Sequence, residues 1–252
     1  MTTERPGTAT EDYLKTIFAV TEWDPEATVT TAAVASGLEV SASSVSAMVR
    51  KLAAAGLVDH RRYGSIALTE LGRAEAVKVV RRHRLIETYL VEALGYTWDE
   101  VHDEAEVLEH AVSPTLVDRM DVALGHPWRD PHGDPIPTPD GTLHQPVARR
   151  LSDLEAGERG FVARINDDDP ELLRHLSGEA LHLDDQVTVL ERQRFRGSVT
   201  VEVGAGVAGR QLALADDVLA DVWVTDALPT RPRTEARGCT YPDCRHLALA
   251  AG

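Results

Sequence analysis

Apolar residues recur at helical spacing through the first half of the chain and alternate with polar ones through much of the second, so the pattern predicts a helical part followed by a β part. From about Ala9 to Glu22, Tyr13, Ile17, Phe18 and Val20 form one apolar face. Thr10 is the expected N-cap, Glu11 and Asp12 occupy the first turn, and Asp24-Pro25 ends the helix. Thr30 caps a short helix, Thr31 to Ser36, which Gly37 stops. Ser41 or Ser43 opens a longer helix to about Ala55, with Val45, Met48, Val49 and Leu52 as its buried stripe. Helix, short helix, glycine-containing turn and longer helix make the plan of a helix-turn-helix. Residues 57–62 and 65–69 read as two short strands around Tyr63-Gly64, a basic-tipped hairpin that turns the motif into a winged helix-turn-helix.

A long helix follows from Glu70 to about Leu94, closed by Gly95. A second is expected over residues 97–112, with Val101, Ala105, Leu108 and Val112 as its apolar stripe, and a third over Pro114 to Leu124. Three helices after a DNA-binding unit are a place for dimer contacts. Residues 125–146 hold too much proline and glycine for regular structure. Beyond them, residues 160–165, 186–190, 198–203 and 222–224 read as strands and 170–176 as a helix, a small β-barrel-like domain. The expected fold class is mainly α with a β domain. The expected domains are a winged helix-turn-helix (1–72), a helical domain suited to dimerisation (73–145), a small β domain (146–229) and a disordered tail (230–252).

Composition narrows the class. With 252 residues and 43% apolar content the chain can build two or three cored domains without disulfides, since only Cys239 and Cys244 occur. No apolar run approaches the roughly 18 residues of a membrane span, and the N-terminus has no apolar signal core, so a cytoplasmic protein without a membrane partner is expected. A net charge of −15 would argue against nucleic acid if it were spread evenly. It is not: Glu39 to Glu87 holds nine Lys/Arg against five acids, and Tyr96 to Asp140 holds two Arg against eleven acids. The first segment suits phosphates and the second suits cations. Candidate DNA-facing residues are Ser41, Ser43, Ser44, Ser46 and Arg50 on the recognition helix and Arg61 and Arg62 on the wing. The serines reach phosphates or base edges but give no bidentate donor for guanine, so sequence preference is not legible.

The densest run of metal-capable side chains is His102-Asp103-Glu104-Ala105-Glu106-Val107-Leu108-Glu109-His110. On a helix Glu106 neighbours both Glu109 and His110, and His102 lies one turn earlier. A solvated acidic face is the alternative reading of that run taken alone. His83 and Glu87 are likewise one turn apart, a spacing that by itself more often marks a surface ion pair. Two motifs carry no function here. Gly204-Ala-Gly206-Val-Ala-Gly209 has the dinucleotide spacing without a capped helix after it and is read as a turn, and Cys239-x4-Cys244-Arg-His246 lacks a fourth ligand.

Thr10-Glu11-Asp12-Tyr13-Leu14-Lys15-Thr16-Ile17, Arg82-His83-Arg84-Leu85-x-Glu87 and Val101-His102-Asp103-Glu104-Ala105-Glu106-x-x-Glu109-His110 together resemble the diphtheria toxin repressor (DtxR) family of metal-dependent regulators, over about residues 8–228. The resemblance implies a homodimeric repressor that binds a palindromic operator in double-stranded DNA, with an SH3-like (FeoA-like) C-terminal barrel. It also implies a primary metal site from Asp12, Glu106, Glu109 and His110 and a second from His83, Glu87 and His102. The barrel is expected to add ligands to the second site, the candidates being Asp168 and Glu171, in and just after the acidic run Asp167-Asp168-Asp169. In the iron-responsive branch the first position is Met and the second Cys. Here Asp12 and Glu106 stand instead, as in the manganese-responsive (MntR-like) branch, and hard oxygen donors suit Mn²⁺. Two Mn²⁺ per subunit and control of manganese uptake are therefore expected, with Fe²⁺ as the alternative ion. Lys15 stands where two-domain manganese regulators carry a Glu that supports a binuclear cluster, which implies two separate sites. Ala47 replaces a DNA-facing Gln, so no operator can be carried over. No enzyme motif is present; a metallohydrolase would need His-Glu-x-x-His, an open histidine triad or a nucleophile.

Overall fold

Helix α1 (Thr8–Glu22) starts two residues before the expected cap, because the carbonyl of Gly7 accepts the amides of Thr10 and Glu11 and places Thr10 inside the first turn. The computed structural model describes residues 6–60, 65–193, 197–204 and 209–231. The Thr30 hydroxyl accepts from the Ala33 amide at 3.1 Å and opens α2 (Thr31–Gly37) as expected. For α3 (Ala42–Ala54) the cap is Ser41, which accepts from the Ser44 amide at 3.2 Å. The axes of α2 and α3 are bent by 108° to each other, within the helix-turn-helix range. Strands β1 (Val58–His60) and β2 (Ile66–Leu68) pair antiparallel with His60 opposite Ile66, and the Ile66 amide also donates to the Val29 carbonyl at 3.0 Å. Leu14, Phe18, Val34, Val45, Leu52 and Ile66 are buried. The wing tip with Arg61 and Arg62 lies outside the described residues.

Ser41→Ala removes the side-chain acceptor that caps α3, and caps of this kind contribute about 1 kcal/mol. The variant should unfold at lower urea with an unchanged slope. An unmoved midpoint would mean that solvent satisfies the Ser44 amide equally well.

Two compact units form: residues 1–83 with 137–142, and residues 84–136 with 143–252. Helix α4 (Glu70–Leu94) runs from the first into the second. In the second unit, α5 (Val101–Leu108) ends four residues short of the expected 112. The cause lies in the next helix: α6 (Pro114–Ala123) starts with proline, which disfavours helical backbone at Ser113, and Ser113 is extended with its hydroxyl accepting from Leu116. Leu85, Ile86, Leu90, Val101, Ala105 and Ile136 make the helical core.

The rest of this unit is a six-stranded antiparallel sheet built from β3 (Arg149–Arg150), β4 (Arg159–Ile165), β5 (Gln186–Gln193), β6 (Ser198–Val203), β7 (Arg210–Ala215) and β8 (Val222–Thr225), in the order β3-β8-β4-β5-β6-β7. In β6 the alternation is strict, with Val199, Val201 and Val203 buried. Leu173 and Leu176 of α7 (Pro170–Gly178) cover that face, and α8 (Asp216–Ala220) leads into β8. Strand β7 and helix α8 were not expected, since Gln211-Leu-Ala-Leu-Ala carries small residues of low strand propensity and gains its state from pairing with β6. That pairing sets Val203 opposite Arg210, an antiparallel hairpin where a dinucleotide loop needs a parallel crossover. Residues 205–208 of that glycine-rich run, and Cys239 and Cys244, lie outside the described residues.

Residues of the helices after residue 83 and the sheet fall in the same compact unit. Trp98, between α4 and α5, packs against the sheet core and donates its indole N–H to the Ser177 hydroxyl at 2.6 Å. Next to it Asp99 pairs with Arg174 at 3.3 Å.

Candidate metal centre and recognition helix

Glu87 on α4 has no solvent exposure, and a buried carboxylate demands compensation. Three groups from other elements converge on it. His102, in the first turn of α5, places Nδ1 3.5 Å from Glu87 Oε1 and 3.0 Å from Asp167 Oδ2, just beyond β4. His132, from the irregular 125–146 segment, places Nδ1 3.9 Å from Glu87 Oε1 and 3.8 Å from Asp167 Oδ2. These spacings are too long for hydrogen bonds to His132, yet they match the roughly 3–5 Å between ligand atoms of one hard cation. Asp130, also buried, completes a second grouping with Glu87 and His132.

The tautomer of His132 is set by its surroundings. Nε2 lies 2.7 Å from the Trp98 carbonyl, which can only accept, so Nε2 carries a proton and Nδ1 is the nitrogen that offers a lone pair when the ring is neutral. That Nδ1 is fully buried without a hydrogen-bond partner. An imidazole whose far nitrogen donates to a carbonyl while the near one faces carboxylates is how metal-ligating histidines are held. The donor set thus fits a divalent cation. Charges around it agree: burial works against a charged His102, but the hydrogen bonds and charges of Asp167 and Glu87 outweigh it and push the imidazole up to about 11. For Asp130, burial and the charges of Asp134 and Glu87 raise the carboxyl well above its usual range. The cluster draws in positive charge.

The loop that delivers His132 is tightly built. Asp130 Oδ1 accepts the amides of His132 and Asp134, both at 2.9 Å, and the Ile165 amide donates to the His132 carbonyl at 2.9 Å, fastening the loop to β4. Gly133, at φ +98°, lies where a Cβ would come within 2.0 Å of the Ala163 carbonyl oxygen. Sequence reasoning passed over Asp130, His132 and Asp134 because Pro and Gly mark this stretch as loop. The available signal was a histidine between two aspartates with apolar Ile136 beside them.

The expected ligands are placed as follows. Glu109 and His110 come after the end of α5, Glu109 as its C-cap with no exposure, and His110 Nε2 lies 3.5 Å from Glu109 Oε1. Glu106 Oε1 lies 3.6 Å from His102 Nε2. Asp12 is half-buried on α1, in the other unit. His83 is buried one turn before Glu87 on α4. Asp167 meets the histidines, whereas Asp168 and Glu171 are exposed: Asp168 accepts from Asn166, and the Glu171 amide donates to Asp169, the cap of α7.

On α3, Val45, Val49 and Leu52 face inward, while Ser43, Ser44, Ser46, Ala47 and Arg50 are exposed. The Ser46 hydroxyl donates to the Ala42 carbonyl at 2.9 Å, so it also satisfies its own helix. The surface offered is small, polar and close to the backbone.

Comparison with known proteins covers almost the whole described chain. Residues 7–66 match the iron dependent repressor N-terminal DNA binding domain, residues 69–138 the iron dependent repressor metal binding and dimerisation domain, and residues 149–226 the FeoA domain. The iron-dependent repressor IdeR of Mycobacterium leprae is 33% identical over 197 residues, 75% of this chain and 80% of that protein. The diphtheria toxin repressor of Corynebacterium efficiens is 32% identical over 201 residues, 73% of this chain and 84% of that protein. Among solved structures, a manganese-dependent transcriptional repressor in complex with manganese superposes with a TM-score of 0.82 at 47% identity, covering 86% of this chain and all of that one. The manganese regulator SloR gives 0.72 at 34% identity, covering 86% of this chain and 98% of that one.

Proposed function

The chain belongs to the diphtheria toxin repressor family of metal-dependent DNA-binding transcriptional repressors, and from that premise we propose that it is a Mn²⁺-activated homodimer that shuts off manganese uptake. It is a regulator and not an enzyme. One observation carries the choice of ion: Asp12, Glu106, Glu109, His110, Glu87, His102, His132 and Asp167 offer only oxygen and imidazole nitrogen, with no thiolate or thioether among them. Hard donors favour Mn²⁺ over later ions. The structural relatives named for manganese support the same reading. Two ions per subunit are proposed, one at Asp12, Glu106, Glu109 and His110 and one at Glu87, His102, His132 and Asp167, with His83 beside Glu87 and Asp130 beside His132.

Exposed Leu94, Val107 and Leu116 on α4, α5 and α6 support a two-fold dimer through this region. Two α3 helices would then meet half-sites of a palindromic operator about one DNA turn apart, roughly 34 Å, with Ser41, Ser43, Ser44, Ser46, Ala47 and Arg50 toward the groove and Arg61 and Arg62 toward phosphates. No single helix among the described residues is long and apolar enough to cross a membrane, and a repressor that acts on DNA is proposed to work in the cytoplasm.

An iron-activated repressor is the second reading, favoured by the relatives named for iron at 33% identity. Anaerobic DNA-binding titrations with Mn²⁺ and Fe²⁺ on the region upstream of the protein's own gene and neighbouring transporter genes decide between them. Half-saturation by Mn²⁺ at an equal or lower free concentration than by Fe²⁺ is expected, and activation by Fe²⁺ alone would overturn the manganese assignment. Glu106→Cys should move the response toward Fe²⁺ or Zn²⁺, because a thiolate replaces a hard oxygen. An unchanged metal profile in that variant would remove Glu106 from the site.

A further inference from the structure

We propose that Arg164 is the positioning residue of the second metal site: it fixes Asp167 and the loop bearing His132 relative to each other, and so sets how tightly that site holds its ion. This rests on the two-site reading above. Arg164 projects from β4 and is almost wholly buried. One edge of the guanidinium engages the loop, with Nε 2.9 Å from both oxygens of Asp134. Its terminal Nη2 reaches the strand end, donating to Asn166 Oδ1 at 3.3 Å and lying 3.8 Å from Asp167 Oδ1, while Oδ2 of the same carboxylate faces His102 and His132. Its flat face lies over Trp223 of β8, 4.5 Å from the ring centroid, so it cannot turn without losing that contact.

The loop is held from its far side as well. Arg84 on α4, one turn before Glu87 in the sense of its neighbours, lies 3.3 Å from Asp134 and 3.5 Å from Asp130 and donates to the Pro135 carbonyl at 2.8 Å. Asp134 is therefore gripped by two guanidiniums, one from the helix that carries Glu87 and one from the strand that precedes Asp167. The three elements that bring Glu87, His132 and Asp167 together are joined by this buried charge network, and Arg164 is its link to the sheet. A lysine would keep the charge and lose the function, since a single ammonium cannot lie flat on Trp223 while directing separate donors, Nε and Nη2, toward two carboxylates.

The test is Mn²⁺ binding to the full-length chain, followed by calorimetry and by the EPR signal of the free ion, for wild type, Arg164→Lys, Asp134→Asn and the double variant. Groups that orient ligands change metal affinity by about 10–100-fold. Arg164→Lys should weaken one of the two binding phases by about tenfold or more and leave the other within twofold, with thermal unfolding in chelator close to wild type. Asp134→Asn, which keeps Arg164 on Trp223, should weaken the same phase, and the double variant should be no weaker than the worse single one. Should Arg164→Lys fail to fold, Asp134→Asn alone decides by the same criterion. Unchanged binding, equal weakening of both phases, or fully additive effects would overturn the proposal and leave Arg164 as a structural ion pair. A wild-type protein that binds Mn²⁺ in one phase would overturn the two-site reading itself, a result visible before any variant is compared.

Discussion

Asp12→Ala is expected to give a folded dimer that keeps metal at the second site yet binds DNA no more tightly with Mn²⁺ than without it. Glu106, Glu109 and His110 belong to the unit that holds α5, whereas Asp12 belongs to the unit that holds the winged domain. An ion shared among them would clip the two units together. Without it, the three carboxylates of such a site would repel each other, and α1 would be free of that constraint. With it, the spacing of the two recognition helices would be held at values DNA accepts, a shift between existing populations. Moving such an equilibrium from 1:99 to 99:1 takes about 5.5 kcal/mol of differential binding, so the metal-induced gain in DNA affinity should be large in wild type and absent in the variant. By reciprocity DNA should tighten Mn²⁺ binding at the primary site by the same factor, and that effect should vanish too. Fluorescence anisotropy on operator DNA across a Mn²⁺ series measures both. Normal activation of Asp12→Ala would show that the ion does not act by joining the units, whatever the family.

Gly133→Ala should have the largest effect on the second site. Its φ of +98° is strained for alanine, and the added Cβ would sit 2.0 Å from the Ala163 carbonyl oxygen on β4, a backbone atom that cannot step aside. The loop must lift from the strand. His132 then loses the Ile165 amide on its carbonyl and the Trp98 carbonyl on Nε2, and its Nδ1 leaves Glu87 and Asp167. The variant should lose more than about tenfold in second-site Mn²⁺ affinity. It should also unfold at lower temperature by an amount that excess Mn²⁺ no longer restores, since a ligand stabilises only the state that binds it. Full rescue of its melting temperature by Mn²⁺ at wild-type concentrations would show that the loop is not needed to hold the ion.

The chain alone determined what depends on local chemistry. Thr30, Ser41 and Ser113 sit where orphan amides need acceptors, so the starts of α2, α3 and α6 follow from residue type, and the alternating valines of β6 follow from a sheet with one buried face. The helix-turn-helix with its wing, and the two histidine and carboxylate pairs on α4 and α5, were legible because helical spacing converts directly into a shared face. Tertiary structure decided the rest. Strand β7 forms from small residues because β6 supplies its hydrogen bonds, and α5 ends at Leu108 because the chain must turn into Ser113-Pro114. The partner of His102 is Asp167 and not its neighbour Asp168, a choice made by how the chain leaves β4: Asp167 meets His102 and His132 while Asp168 is exposed. His132 is the strongest case. Nothing in a proline-rich loop announces a ligand; it becomes one when Asp130 folds the loop, Gly133 lets it approach β4, and the Trp98 carbonyl fixes which nitrogen keeps its lone pair.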